Sequence, residues 1–266
     1  MMKAWLRAAA LVMMMAIVCA CAAAEGEIRG YSAKEGYVYV TLGRYPQTID
    51  GGEPEKMSWK WSRNKIKNAS DVDVHIDPIL WRVLTVDEEK AYLCSEYVLF
   101  ATPMHTNVTE YKKFGGDFAQ TQLCAYLNNE FASEAFTGDE LELLIPCGDY
   151  GKVFLLDSTD VKDKSIGMGN GAMKAWGTEY AIRVTGSFVY QTSMGSSSPY
   201  WVRNPSTSDG RHARCTKQDG SLGHLIADRD NESARPVVYL DMSAYRIAGG
   251  SGTKTDPYQI VKKEAE

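Results

Sequence analysis

Thiols, imidazoles and carboxylates build most catalytic and metal sites, and in this chain their spacing joins few of them. His75, His105, His212 and His224 stand apart from one another. Cys94, Cys124, Cys147 and Cys215 include no C-x-x-C pair, so neither a zinc knuckle nor a thioredoxin-like motif is indicated. A Cys–His nucleophile pair could be assembled only by the fold, since no local signature links the two residue types. Asp71, Asp73 and Asp77 offer hard oxygens, as do Asp228, Asp230, Asn231 and Glu232. Neither run has the D-x-[DN]-x-[DN]-G spacing of a calcium loop, and both read as solvated loops. The sequence therefore assigns no catalytic residue, no metal ligand and no cofactor.

Binding chemistry is better represented. Trp201, Arg203 and Asn204 combine a flat aromatic face, a planar guanidinium fork and an amide that both donates and accepts. Exposed, they would form a platform for a sugar ring or a carboxylate. Buried, Trp201 would fill the core while Arg203 tied loop carbonyls together, and the structural role is the stronger expectation. Arg235 poses the same choice. Pro236 suits the start of a strand, and Arg235 beside it is expected to pair with a buried acid.

The chain of 266 residues carries a formal charge of −5, which argues against a nucleic-acid partner. Its nearest basic cluster, Lys60, Arg63, Lys65 and Lys67, reads as a solvated loop face. The first residues have the layout of a secretory signal: Lys3 and Arg7, a charge-free apolar run over 8–20, then small residues before Glu25. That apolar run is shorter than the about 20 residues a membrane span requires, and no later stretch supplies one. Two exits are open. Ala22-Ala23-Ala24 suits ordinary cleavage, whereas Val18-Cys19-Ala20-Cys21 resembles a lipoprotein box that would leave a lipid anchor on Cys21. In an exported chain the remaining four cysteines permit two disulfides in three connectivities, and buried free thiols fit equally well.

The elements that must position these groups read as strands and a few helices. Residues 37–42 form an opening strand broken by Gly43 to Pro46, and the polar stretch 50–75 forms a long surface insertion. Residues 79–86 and 91–99 flank a charged turn and make a hairpin. Leu123, Leu127 and Phe131 recur every fourth residue along one helix face. Thr137-Gly138-Asp139-Glu140 has capping-box spacing ahead of a second helix that Pro146 ends. Residues 152–156 read as a buried strand. Beyond Gly167 the chain is rich in Gly, Ser, Asn and Asp, with short strands at 200–203 and 237–240.

These segments carry a resemblance. Leu42-Gly43-Arg44-Tyr45-Pro46-Gln47 followed by Ile79-Leu80-Trp81-Arg82-Val83-Leu84 resembles the opening of a domain-of-unknown-function family common in exported and surface proteins of anaerobic gut bacteria. Leu127-Asn128-Asn129-Glu130-Phe131, Lys152-Val153-Phe154-Leu155-Leu156, Tyr200-Trp201-Val202-Arg203-Asn204-Pro205 and Ala234-Arg235-Pro236-Val237-Val238 are similar to its later blocks. The last two stand where relatives show Trp-Leu-Arg-Ser-Pro and Gly-Val-Arg-Pro-Ala, so Asn204 and Ala234 depart from the pattern. Gly249 to Thr253 with Asp256-Pro257-Tyr258 is similar to a tail found after many bacterial surface domains. The arrangement also resembles the C-type-lectin-like superfamily, which includes the formylglycine-generating enzymes. Those enzymes use a redox-active cysteine pair near their C-terminal end, where this chain has only Cys215.

The resulting expectation is a signal over 1–24, a mature segment over 25–36, one domain over 37–243 and a tail over 244–266. The domain is read as α+β and C-type-lectin-like, with two early helices packed on an antiparallel sheet and a loop-rich second half. The function expected is an exported, non-enzymatic module that binds a glycan or protein at the bacterial cell surface. An enzyme of the formylglycine-generating type, an unrecognised hydrolase, and a structural domain of an envelope assembly are the alternatives. N-terminal sequencing of the exported product is expected to start at or near Glu25. A lipid-modified Cys21 would select the anchored form, and an intact Met1 end would overturn the signal.

Overall fold

The computed structural model describes residues 26–49, 60, 63–169, 171, 173–192, 195–217 and 219–264, so the signal segment and Cys21 lie outside the described residues. Strand β1 (Tyr39–Ile49) begins where the alternating pattern starts, but it runs straight through the expected break. Its pairing register shifts between Thr41 and Arg44, at Gly43, whose φ of 69° only glycine adopts readily. The strand kinks at a bulge there and continues past Pro46.

The expected hairpin forms as β2 (Val74–Val86) and β3 (Lys90–Ser95), antiparallel, with the Asp87 carboxylate accepting from the backbone of Glu89 and Lys90 in the turn. Next to β3 runs β13 (Pro236–Asp241), whose other edge takes β5 (Leu144–Ile145) and β6 (Val153–Leu155). On the opposite flank come β14 (Tyr245–Gly249) and β15 (Tyr258–Lys262). The eight strands run β14-β15-β1-β2-β3-β13-β5, with β6 also on β13. Within the stretch expected to be a tail, Tyr245–Gly249 and Tyr258–Lys262 are therefore strands of the main sheet. They are held by the β14/β15 ladder, by the buried Ile260, and by parallel pairing of β15 with β1 at Val40↔Tyr258 and Thr41↔Gln259. That parallel pair also makes the sheet mixed rather than purely antiparallel.

Among the described residues, four short helices pack on this frame. Helix α1 (Val108–Lys113) is capped by Asn107. Helix α2 starts at the Thr121 cap and runs through Gln122–Tyr126, a π-turn at Leu127–Phe131, and Ala132–Ala135. Its Leu123, Leu127 and Phe131 are all buried, as their spacing requires. The Asn128 amide donates to the carbonyls of Tyr150 (2.8 Å) and Val153 (2.9 Å) and accepts from the backbone of Lys152 (2.7 Å), so one side chain fastens α2 to β6. Helix α3 (Gly138–Glu142) carries the full Thr137/Glu140 capping box. Helix α4 (Glu179–Arg183) lies in the second half, so the helices are not confined to the first.

The second half adds β9 (Trp201–Pro205), β10 (His212–Thr216) and β11 (Leu222–Ile226) as a small antiparallel sheet. Two-stranded ribbons join β4 (Phe100–Ala101) to β12 (Ser233–Ala234) and β7 (Tyr190–Thr192) to β8 (Gly195–Ser197). Apolar side chains from both halves merge into one core, and the whole is a single α+β domain, mostly sheet. Cys94, Cys124, Cys147 and Cys215 are all free thiols. No helix among the described residues is long and apolar enough to cross a membrane. Because Leu127 is sealed between α2 and the sheet, Leu127→Ala is expected to lower stability by about 2–5 kcal/mol. An unchanged denaturant midpoint would show that the helix contributes no core packing.

Candidate functional site

Trp201 and Arg203 lie two residues apart on β9 but end in different surroundings. Trp201 is 0 % exposed, and its Nε1 donates to the carbonyl of Thr102 at 2.8 Å. No face of the indole is open to a ligand. Arg203 is half-buried and reaches the loop after β6, donating to the carbonyl of Leu155 at 2.7 Å. Its guanidinium stands 3.4 Å from Asp157 and 3.7 Å from Asp160, near the rings of Tyr150 and Phe154. Asn204 accepts from the backbone of Ser158 (2.6 Å) and donates to Asp157 (3.1 Å), while the Tyr92 hydroxyl donates to Asp160 (2.9 Å). Burial pushes the Asp157 carboxyl up, but bonds from Thr159 and Asn204 and the charge of Arg203 hold it below its usual value. Arg203 and Asn204 thus come together, Trp201 does not join them, and the polar groups of the pair are spent on the 155–160 loop.

Arg235 is also fully buried, yet it pairs with no acid directly. Its Nε donates to the carbonyl of Ser95 (2.8 Å), and its Nη1 reaches the carbonyl of Met173 and the hydroxyl of Tyr200. The nearby acid, Glu96, is bound by Arg82 (2.7 Å) and Lys254 (3.2 Å).

The groups that could do nucleophilic chemistry are dispersed. Burial pushes the thiols of Cys94, Cys124 and Cys215 up, Cys124 to about 11, which keeps them protonated. His105 is buried against Phe114, with Nδ1 accepting from the backbone of Gln122 and Nε2 3.5 Å from Glu110. His212 bonds Asp209 (2.6 Å) and meets His224 edge-on. No group of three His, Cys, Asp or Glu side chains that could hold a metal lies among the described residues.

A concave site exists elsewhere, at the seam between the two ends of the domain. After Thr41↔Gln259 the strands β1 and β15 separate, because β1 kinks at Gly43. The opening is a cleft of about 630 Å³, within the roughly 300–1,000 Å³ of small-ligand sites. Leu42 and Ile260 form its buried apolar floor, with Pro78 and Pro257 on its walls. The Glu140 carboxylate closes one end, where Oε1 accepts from the backbone of Gly43 (3.0 Å) and Oε2 completes the α3 cap. On the rim stand four exposed polar side chains, Arg44, Thr255, Asp256 and Gln259. Arg44 makes one bond, from Nη2 to the carbonyl of Ile76 (3.1 Å), which leaves most of its fork open.

No family model, no curated protein and no solved structure matches this chain. Five of the cleft residues, Leu42, Gly43, Arg44, Asp256 and Pro257, lie in two blocks that the sequence singles out, but local pattern gives no sign that the blocks meet. Only the parallel β1/β15 pairing brings them together. Trp201→Ala is expected to cost about 3–5 kcal/mol through the cavity it leaves. Thermal unfolding beside iodide quenching of tryptophan checks it, and an unchanged melting temperature would move the indole to the surface.

Proposed function

We propose that this chain is an exported, non-enzymatic module of the bacterial cell surface that binds a short glycan in the β1/β15 cleft, with a C-type-lectin-like arrangement. The observation that carries the reading is the cleft itself: an apolar floor beneath a guanidinium, a carboxylate and an amide that the fold leaves largely unengaged. Planar groups of this kind pair with vicinal hydroxyls, while apolar walls receive the C–H faces of a sugar ring. The early helices, the loop-rich second half and the closing strand support the lectin-like arrangement. Leading residues 1–24 support export. The enzyme reading is disfavoured by thiols that burial keeps protonated.

A glycan array probed with the mature protein, followed by titration calorimetry of its hits, tests the proposal. Arg44→Ala and Asp256→Ala are each expected to weaken binding at least about tenfold, the loss of one or two good hydrogen bonds. Both residues are exposed, so their melting temperatures should stay within about 2 °C of wild type. Glycan binding that survives both substitutions would place the site elsewhere, and an array without hits would overturn the glycan.

A further inference from the structure

Most buried acids in this domain have donors. Glu96 takes Arg82 and Lys254, and Glu179 takes Arg183 and the backbone of Ile49. Glu232 does not. It sits just before β12 and is 1 % exposed, and its Oε1 is sealed from water with no hydrogen-bond donor among the described residues. A buried polar atom left unpaired costs free energy comparable to a lost bond, so an unpaired buried acid points to a missing partner. Three buried nitrogens, His105 Nε2, Trp176 Nε1 and Arg235 Nη2, also lack a bond, but none belongs to an acid, and the charge of Arg235 is met by its other bonds and the Tyr200 ring.

The surroundings of Glu232 indicate what is missing. The backbone N–H of Phe188 donates to the carbonyl of Asn231 (3.0 Å), and the Ser187 and Ser233 hydroxyls meet at 2.7 Å. These bonds lay the 187–190 segment along 231–233. Phe188 is 43 % exposed, and its ring meets that of Tyr190 edge-on at 4.8 Å. The titratable and charged groups acting on Glu232 are the exposed Arg229 on its own loop, the Cys215 thiol on β10 and the Tyr190 phenol on β7. Lys217 acts on Cys215 from beyond. One carboxylate without a second acid is a poor metal site, whereas a carboxylate with aromatic side chains in its neighbourhood suits an organic cation.

We propose that Glu232, together with Tyr190 and Phe188 of the neighbouring segment, is a binding site for a ligand that carries a primary ammonium group. Burial pushes the Glu232 carboxyl up to about 8, so at neutral pH it is mostly protonated. An ammonium ligand binds the carboxylate form, and each binding event below that pH releases the carboxyl proton to solvent. Affinity therefore rises with pH up to about 8 and then levels off, until the ligand's own ammonium begins to titrate.

The probe is Nα-acetyl-lysine-N-methylamide, titrated by calorimetry at pH 6, 7 and 8.5 in buffers of different ionisation enthalpy. Its Nε-acetylated form is the neutral control. Glucosamine, run in parallel, separates an amino-sugar source from a protein lysine. The expected result is binding that tightens about tenfold per pH unit below 8, with proton release and no response to the acetylated control. Glu232→Gln should abolish it, Phe188→Ala should weaken it several-fold, and Arg44→Ala should leave it unchanged, which keeps this site distinct from the cleft. Glu232→Gln is a neutral isostere, and its melting temperature at pH 8.5 should equal or exceed that of wild type, so loss of binding cannot be put down to unfolding. Absence of binding at millimolar probe, equal binding of the acetylated form, or binding retained by Glu232→Gln overturns the proposal. Binding seen only in Arg229→Ala also overturns it, by making Arg229 the native occupant.

Discussion

The buried guanidinium of Arg235 is the contact on which both halves of this domain depend. It stands immediately before β13, the strand that joins the β1-β2-β3 hairpin system to β5 and β6. From there it reaches Ser95 at the end of β3, Met173 in the loop before α4, and Tyr200 at the start of β9. A single side chain therefore links the sheet, the loop-rich segment and the small second sheet. A fully buried cation is tolerated only when its surroundings answer the charge. Here the answer is shared among two carbonyls, an aromatic hydroxyl and ring, and the field of Glu96. That carboxyl is raised by burial and lowered more strongly by Arg82, Arg235 and Lys254, so it stays ionised as the common counterweight.

A second constraint, at Gly43, shapes the candidate site. A Cβ at this position would meet the carbonyl of Ala135 at 2.7 Å and the Phe136 ring, and the backbone is left-handed as well. The C-terminal end of α2 can pack on β1 only because nothing projects there. The resulting bulge turns β1 away from β15 after two residue pairs, and the cleft is the space between the diverging strands. Glu140 then uses one carboxylate for two tasks, capping α3 and holding the freed N–H of Gly43. Helix packing, strand kink and cleft are consequences of one residue type.

Much of this fold was legible in the sequence where signals are local. The hairpin around Asp87, the Thr137/Glu140 box, the Leu123/Leu127/Phe131 stripe and the strand at 153–155 follow from periodicity and capping. Three features did not. Gly43 and Pro46 look like breakers of the opening strand, and only the packing of α2 shows that the glycine bends the strand instead. The segment after 243 was read as a tail, since Tyr258 to Val261 is short and its partner lies more than 200 residues away. Arg235 was expected to meet an acid because a buried cation usually does, and nothing local reveals that Glu96 is already bound by Arg82. The cleft inherits this difficulty, for it exists only where the two ends of the domain meet.

What separates scaffold from site in this molecule is how fully each polar group is satisfied. Arg203 and Asn204 have the right chemistry for recognition, yet their forks and amides are directed at the 155–160 loop, and a ligand would have to displace those bonds to reach them. Opening a set of charge-assisted bonds costs more than a single new contact returns. The rim of the cleft differs, since Arg44, Asp256 and Gln259 keep free capacity in contact with water, where leaving a group unpaired costs little. Glu232 differs again, with free capacity held in the interior, where it is costly. Recognition is cheapest where capacity is free and accessible, and most sensitive to pH where it is free and buried. The chain places one candidate site in each setting, and the residue types alone, read without their partners, would have pointed to neither.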